Sequence, residues 1–390
     1  MKLLHVFAGP CPTVQGTQTL ITQTCRLLAQ AGHDVHLLCY AHGASETHES
    51  FQIHRIPNFP RFSSERSGPS LKKILLDLSL ARSCASLLRS LEPDCLHAHH
   101  YEALAATRLA DPLSGQPLVF HLHALFEPEL PTYFPAPARA PAGLLGQAMD
   151  RFLPRLADSV VAVSPFIVQR LIENGVPENR IQLLRPPLDS MQTNPSPLTD
   201  KSKPIRAAYI GNLDCYQGLN HLLRGLTFLK EDVRKELSVE IVTASESDQF
   251  SFEVNRLGLA DMVHLVSHED STNAWSILET AHIALIPRVL PGGAPIKLVN
   301  ALAAGKPALV DHKLATELVH GEEVWAIHMR NPAEIAAALT RLVRDESLRY
   351  KLGQGALRAA KRLHDPERYL SSLEHLYADV VKKATRIHLK

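Results

Sequence analysis

Short apolar runs alternate along the chain with longer stretches in which apolar residues recur every three or four positions. In the first half, the runs KLLHVFA, DVHLLCY, FQIHRI, CLHA, PLVFHLH, SVVAVS and IQLLR read as buried strands. Amphipathic segments separate several of them. In TLITQTCRLLAQAGHD, Leu20, Ile21, Cys25 and Leu28 fall near one helical face, and Gly32 ends the pattern. Strands of this kind, alternating with helices, imply an α/β fold whose parallel sheet is covered on both sides. At 190–204, SMQTNPSPLTDKSKP, the chain turns polar and carries three prolines, which predicts a linker. The alternation then restarts with IRAAYIG, VEIVTA, VHLV, IALIP, PALV and VWAIH.

The pattern therefore predicts two doubly wound, Rossmann-like domains, 1–189 and 205–365. A C-terminal helix, 366–390, is expected to pack back toward the first domain. Domains of this kind are expected to face a cleft and to hold ligands beyond the carboxyl ends of their strands.

Composition narrows the function without naming it. With 390 residues, the chain is too long for one ordinary core. An apolar content of 45% and a charged content of 21% indicate folding rather than disorder. Lys plus Arg is 41 against 40 Asp plus Glu, so no global charge points to nucleic acid. The start, MKLLHVFAGPCP, reads as a strand and turn rather than a signal peptide, and no run is long enough to span a membrane. Six scattered cysteines without a C-x-x-C pair read as reduced thiols, which suits the cytoplasm.

Four loops after strands could carry chemistry. In AGPCPTVQGTQT, Gly16 would let backbone N–H groups approach a ligand. In HAHHYEA, His97, His99 and His100 lack companion cysteines or carboxylates at fixed spacing, so they read as polar lining rather than a metal site. In VFHLHALFEPELP, His121 and His123 are read as facing opposite sides of their strand, one of them toward the cleft, with Glu127 and Glu129 close behind. In PRVLPGGAPIKLVNALAAGKP, a turn of Gly292, Gly293 and Ala294 opens a helix. Pro295 suits its first position, and Lys297 and Asn300 share one face. Flexible residues and cations around a helix N-terminus suit an anion.

The order of these segments resembles the GT-B glycosyltransferases of family 4 over nearly the whole chain. GTQTLITQTCRLLAQAGHDVHLL resembles the first glycine loop and helix. AAYIGNLDCYQGLNHLLRGL and AHIALIPRVLPGGAPIKLVNALAAGKPALV resemble the donor-binding domain. The resemblance implies transfer of a sugar from a nucleotide diphosphate donor, with retention of configuration and without metal or other cofactor. The acceptor would be a glycan, a lipid-linked molecule or a small molecule. His123 matches the cleft histidine near the transferred sugar. Gly16 matches the glycine near the phosphates, and Ser164 a serine near the cleft. Gly211, Asn212 and Gln217 fall on the phosphate-binding loop, but Asn212 and Gln217 replace the usual arginine and lysine. The paired glutamates of the family correspond to Gly292 and Asn300. Arg288 and Lys297 are expected to supply the missing charge, with Gly293, Ala294 and Pro295 beside the phosphates. His99, His100 and Glu127 are expected on the acceptor side. The missing carboxylate and cations also suit a second reading, a non-catalytic protein that binds a sugar nucleotide or a partner.

Overall fold

The computed structural model describes residues 1–13, 16–43, 50–58, 70–112, 115–188, 204–243, 247–267, 271–290 and 293–388. The chain divides into two units. The first holds Met1–Pro187, Gly292–Ala294 and Pro366–Lys390; the second holds Leu188–Pro291 and Pro295–Asp365. All of the expected linker except Pro204 lies outside the described residues.

In the first unit the strands are β1 (Lys2–Phe7), β2 (Asp34–Cys39), β3 (Gln52–Arg55), β4 (Cys95–His99), β5 (Leu118–Leu122), β6 (Ser159–Ala162) and β7 (Ile181–Leu183). They form one sheet in the order β3-β2-β1-β4-β5-β6-β7, parallel throughout. Its helices are α1 (Gly16–Gln30), α2 (Leu71–Leu91), α3 (His100–Ala110), α4 (Phe126–Glu129), α5 (Ala136–Phe152) and α6 (Pro165–Glu173). Every residue of β4 and β5 is buried, as a sheet covered on both faces requires.

The second unit repeats the plan. Its strands are β8 (Ile205–Ile210), β9 (Leu237–Thr243), β10 (Val263–Ser267), β11 (Ile283–Ile286), β12 (Ala308–Asp311) and β13 (Trp325–Ile327). Their order is β10-β9-β8-β11-β12-β13, again parallel. The helices are α7 (Leu219–Leu226), α8 (Glu231–Glu236), α9 (Asp248–Arg256), α10 (Ser271–Thr280), α11 (Ile296–Ala303), α12 (Pro332–Arg344) and α13 (Glu346–Leu363). The last helix, α14 (Pro366–His388), belongs to the first unit, where it packs on α1, β4 and β5. Tyr369, Leu373, Tyr377 and Val380 of α14 join the core that Leu3, Ile21, Cys95 and Val119 build.

Strand order reverses between β1 and β4 in one sheet and between β8 and β11 in the other. A crevice opens where the crossovers depart to opposite faces, and ligands bind at such points. The loops after β1, β4, β8 and β11 thus carry most of the candidate residues.

Seven basic residues fall between Arg55 and Arg89 around the apolar segment LKKILLDLSLA, a sequence pattern expected of a stretch that rests on anionic lipid, but the described ones do not form one amphipathic run. Arg55 lies on β3 and donates to the carbonyl of His42 at 2.9 Å, while Arg61 and Arg66 lie outside the described residues. The helical part is α2. It buries Leu76, Leu80 and Cys84, but Ile74, Leu75 and Leu78 are more than half exposed. Among the described residues no helix is long and apolar enough to cross a membrane.

One close approach shapes the second switch point. Gly218, the N-cap of α7, has a φ of 75°, and a Cβ there would lie 2.1 Å from the Pro287 carbonyl oxygen at the end of β11. Gly258 has a similar φ of 64°, with open space around it. Gly258→Ala is expected to cost only the left-handed penalty, about 1–2 kcal/mol. Gly218→Ala must also displace a backbone carbonyl and is expected to cost about 1–3 kcal/mol more. Calorimetric unfolding of both variants checks this; equal losses would contradict the contact.

Candidate active site

In the second unit, Lys297 lies in the first turn of α11, directly after the glycine turn. Pro295 is the N-cap rather than the first helical residue, because the helix begins at Ile296. The ammonium of Lys297 reaches back to the loop after β8. It donates to the Tyr209 hydroxyl at 2.9 Å and to Oε1 of Gln217 at 2.8 Å. It also sits 4.2 Å from the centre of the Tyr209 ring, within cation–π range. Gly211, with a φ of 150°, makes room for it, since a Cβ there would stand 2.7 Å from Nζ.

The two amides that replace the expected cations form the far wall. Gln217 Nε2 donates to Oδ1 of Asn212 at 2.9 Å, and Asn212 Nδ2 donates to the Tyr216 hydroxyl at 3.2 Å. The Tyr209 hydroxyl in turn donates to the Asn212 carbonyl at 2.5 Å. Asn212 and Gln217 therefore hold Lys297, where cations in the same places would repel it. Arg288 stacks its guanidinium 5.3 Å from the centre of the Tyr216 ring and donates to the Leu290 carbonyl at 3.2 Å.

Burial holds the Lys297 ammonium well below the usual lysine range, and the positive charge of Arg288 adds to the effect. Asp214 opposes it, while its own carboxyl is raised by burial. The arrangement is a desolvated cation with one hydrogen-bonded side and a helix N-terminus next to it, a setting that an anion would relieve. Asn300 follows one turn later on α11 and is half-buried. Gly293 is buried and Ala294 half-buried; Gly292 lies outside the described residues.

In the first unit, His123 stands just beyond β5, and its Nε2 bonds Nδ1 of His99 at 3.0 Å. The His100 ring lies 4.9 Å from that of His123. His100 opens α3 with a φ of 68°, an unusual left-handed geometry for a side-chain-bearing residue. Burial lowers the His100 pKa to about 4 despite the opposing charge of Glu129.

Two expectations are corrected here. His121 and His123 share one face of the strand instead of opposite faces: their rings stack at 4.3 Å and 8°. Residues two apart in a strand project to the same side. His99 cannot touch an acceptor, because it is fully buried and both its nitrogens bond other histidines. Glu127 is half-buried; its carboxylate pairs with Arg170, while its backbone N–H donates to Asp150 at 2.9 Å. Gly16 is the exposed first residue of α1, and Ser164 caps α6 by accepting from the Ile167 N–H at 3.4 Å.

Several site-building residues carry no motif. Asp150 accepts from the Tyr101 hydroxyl at 2.5 Å and from the N–H groups of Phe126 and Glu127 at 2.9 Å each, so it anchors the N-terminus of α4 from another helix. A single acidic residue in the apolar stretch of α5 was its only signal. Tyr209 and Tyr216, in the first donor-side segment, had none.

Comparison with known proteins places this geometry. The family model described as Glycosyltransferase Family 4 matches residues 14–191, and the one described as Glycosyl transferases group 1 matches 190–359. An MMP alpha-(1->4)-mannosyltransferase from Mycolicibacterium hassiacum is 27% identical over 148 residues; the match covers 37% of this chain and spans only 35% of that relative. Sucrose-phosphate synthase from Thermosynechococcus elongatus superposes with a TM-score of 0.83 at 15% identity, over 98% of this chain and 100% of that one. HepE from Anabaena, solved with UDP and glucose, superposes with a TM-score of 0.76 at 17% identity, over 97% and 100%. Two parallel sheets with matching switch points, and family models that together run from residue 14 to residue 359, identify the chain as a GT-B glycosyltransferase of family 4.

Proposed function

We propose that the protein transfers a sugar from a nucleoside diphosphate sugar to a glycan, lipid-linked or small-molecule acceptor, with retention of configuration. The observation that carries this reading is the desolvated Lys297 ammonium, set by Tyr209 and Gln217 at the N-terminus of α11. Negative charge grows on the leaving diphosphate as the glycosidic bond breaks. A preorganised cation and helix amides stabilise that charge more than they stabilise the bound donor, and this difference is catalysis. The UDP complexes of a neighbour with this fold are consistent with a nucleoside diphosphate. In this reading Arg288 adds charge to the phosphates, Gly16, Gly211 and Gly293 let backbone approach them, and Asn300 bonds a ribose hydroxyl as donor or acceptor. His123 faces the transferred sugar, with His100 beside it. The second reading, binding without turnover, predicts donor affinity without release of the diphosphate.

Lys297→Ala is expected to lower donor turnover roughly tenfold to a hundredfold, the loss of one charge-assisted hydrogen bond of about 1.5–3 kcal/mol. Arg288→Ala is expected to do the same, while Lys235→Ala, on the exposed face of α8, leaves turnover unchanged. Steady-state kinetics on variants with native circular dichroism check this. Wild-type turnover in Lys297→Ala would mean that the phosphates lie elsewhere.

Because side chains and amides supply the charge, and no D-x-D motif occurs in the sequence, the reaction is expected to need no divalent ion. Full activity in excess EDTA is the predicted result. Loss of activity on chelation, with recovery on added magnesium or manganese, would contradict it.

The protein is further proposed to act at the cytoplasmic face of an anionic membrane. Ile74, Leu75 and Leu78 of α2 are 55%, 56% and 51% exposed on one helical face, and Lys72 and Arg82 flank them. Apolar insertion together with about 1 kcal/mol for each basic residue near anionic lipid can hold a helix in the interface. Co-sedimentation with phosphatidylserine vesicles at low salt is expected, and Leu75→Glu should abolish it. Equal sedimentation with neutral and anionic vesicles would overturn the proposal.

A further inference from the structure

Strands β1, β4 and β5 bring five histidines to one face of the first sheet: His5, His97, His99, His121 and, just past β5, His123. The rings of His97 and His99 stack at 4.5 Å and 10°, and those of His121 and His123 at 4.3 Å and 8°. The ligand atoms of His99, His121 and His123 lie within 4.8 Å of one another, as do those of His5, His97 and His99. A metal nevertheless needs lone pairs that converge at about 2.0–2.1 Å. Lone pairs lie in the ring plane, so stacked rings send them along parallel lines, sideways to the next strand. There they meet other histidines.

The result is an unbranched chain of six side chains. His121 Nδ1 bonds His97 Nε2 at 3.2 Å, and His97 Nδ1 bonds the Tyr377 hydroxyl at 2.5 Å. The same hydroxyl lies 3.4 Å from His5 Nε2. His5 Nδ1 bonds His99 Nε2 at 3.0 Å, and His99 Nδ1 bonds His123 Nε2 at 3.0 Å. Tyr377, on α14, and the first four histidines are at most 1% exposed; His123 is 6% exposed and forms the open end. Burial drives the imidazole pKa values far down, His5 to about 3, so the rings are neutral.

A neutral imidazole has one N–H and one lone pair. Fixing the direction of one bond in the chain therefore fixes all of them. Acidity decides it: a phenol O–H is a stronger donor than a neutral imidazole N–H, and an imidazole nitrogen is a stronger acceptor than a phenol oxygen, so the hydroxyl donates across the close Tyr377–His97 contact. Tyr377 thus donates to His97 Nδ1 and accepts from His5 Nε2–H. His5 Nδ1 accepts from His99, and His99 Nδ1 accepts from His123 Nε2–H. His97 Nε2–H donates to His121, which leaves a buried N–H on His121 Nε2, an atom without a partner in the core. Either direction leaves His121 Nε2 without a partner among the described residues, as an N–H or as a lone pair, so that atom does not set the direction.

We propose that Tyr377, acting through His5 and His99, locks His123 in the tautomer protonated at Nε2, so that its Nδ1 is offered as a hydrogen-bond acceptor to a hydroxyl of the transferred sugar. Tyr377, His5 and His99 are positioning residues; His123 alone would touch substrate. The inference rests on the reading of His123 as facing the sugar, so the tautomer is measured apart from activity.

The test is nitrogen NMR of the full chain labelled with 15N-histidine, with His123→Gln identifying the His123 signals. Bare and protonated ring nitrogens differ widely in shift. The wild type is expected to show a single His123 tautomer, with Nε2 protonated and Nδ1 bare. An Nδ1–H tautomer in the wild type would overturn the proposal, and this result needs no variant of the chain. Tyr377→Phe keeps the ring but removes the hydroxyl. It is expected to give a mixed tautomer and a roughly threefold to tenfold fall in kcat, the scale of one hydrogen bond, with donor KM within about twofold. Tyr369→Phe, on the same helix, loses a comparable buried bond to Thr24 Oγ1 at 2.9 Å and should change neither readout. An unchanged tautomer in Tyr377→Phe would overturn the relay. A shifted tautomer with unchanged kcat would uphold the relay and overturn the placement of His123 at the sugar.

Discussion

A half-buried lysine ammonium that, among the described residues, has no carboxylate in hydrogen-bond contact is the interaction on which the loops after β8 and β11 depend. Lys297 is held by a phenol oxygen and an amide oxygen, neutral groups that orient the charge but leave it uncancelled. Removing an ion from water is expensive, and neutral dipoles return only part of the cost. The surroundings are arranged around that cost. Gly211 gives up its side chain to admit Nζ, Gly218 lets α7 close on the carbonyl of Pro287, and Asn212 and Gln217 stand where further cations would make the charge untenable.

The first unit solves a different problem with the same means. Its sheet face under α14 would ordinarily be filled with branched apolar side chains. Five imidazoles occupy it instead, each neutral and each satisfied mainly by its neighbours. A buried polar network of this sort is stable only when nearly every member is bonded, and for that reason it tolerates few arrangements. Rigidity in the first unit and unrelieved charge in the second are both forms of preorganisation.

Much of the fold was legible in the sequence because buried parallel strands and their covering helices have distinct periods. Each strand expected from KLLHVFA to VWAIH exists, with ends shifted by one or two residues. The helix start in PGGAPIKLVN was legible too, since glycines and a proline before an apolar run mark a turn into a helix, and α11 begins at Ile296. The geometry beyond one element was not. Lys297 meets Gln217 across 80 positions, and Tyr377 meets His5 across 372, so no local pattern announces either contact. The histidines were visible as residue types, but their stacking depends on strand register, and His121 and His123, two apart, share one face. Asp150 anchors α4 through backbone groups, which carry no sequence signature at all.

On the proposed function, the Lys297 ammonium, held below the usual lysine range by burial, takes a donor phosphate as its partner. Anion binding must raise its pKa again, so donor binding must take up protons wherever the free ammonium is partly neutral. Calorimetric titration with UDP at pH 8, in buffers of different ionisation enthalpy, measures that number directly. Net proton uptake is expected in the wild-type protein, and its disappearance in Lys297→Met. Binding without proton uptake, or with the same uptake in Lys297→Met, would contradict it.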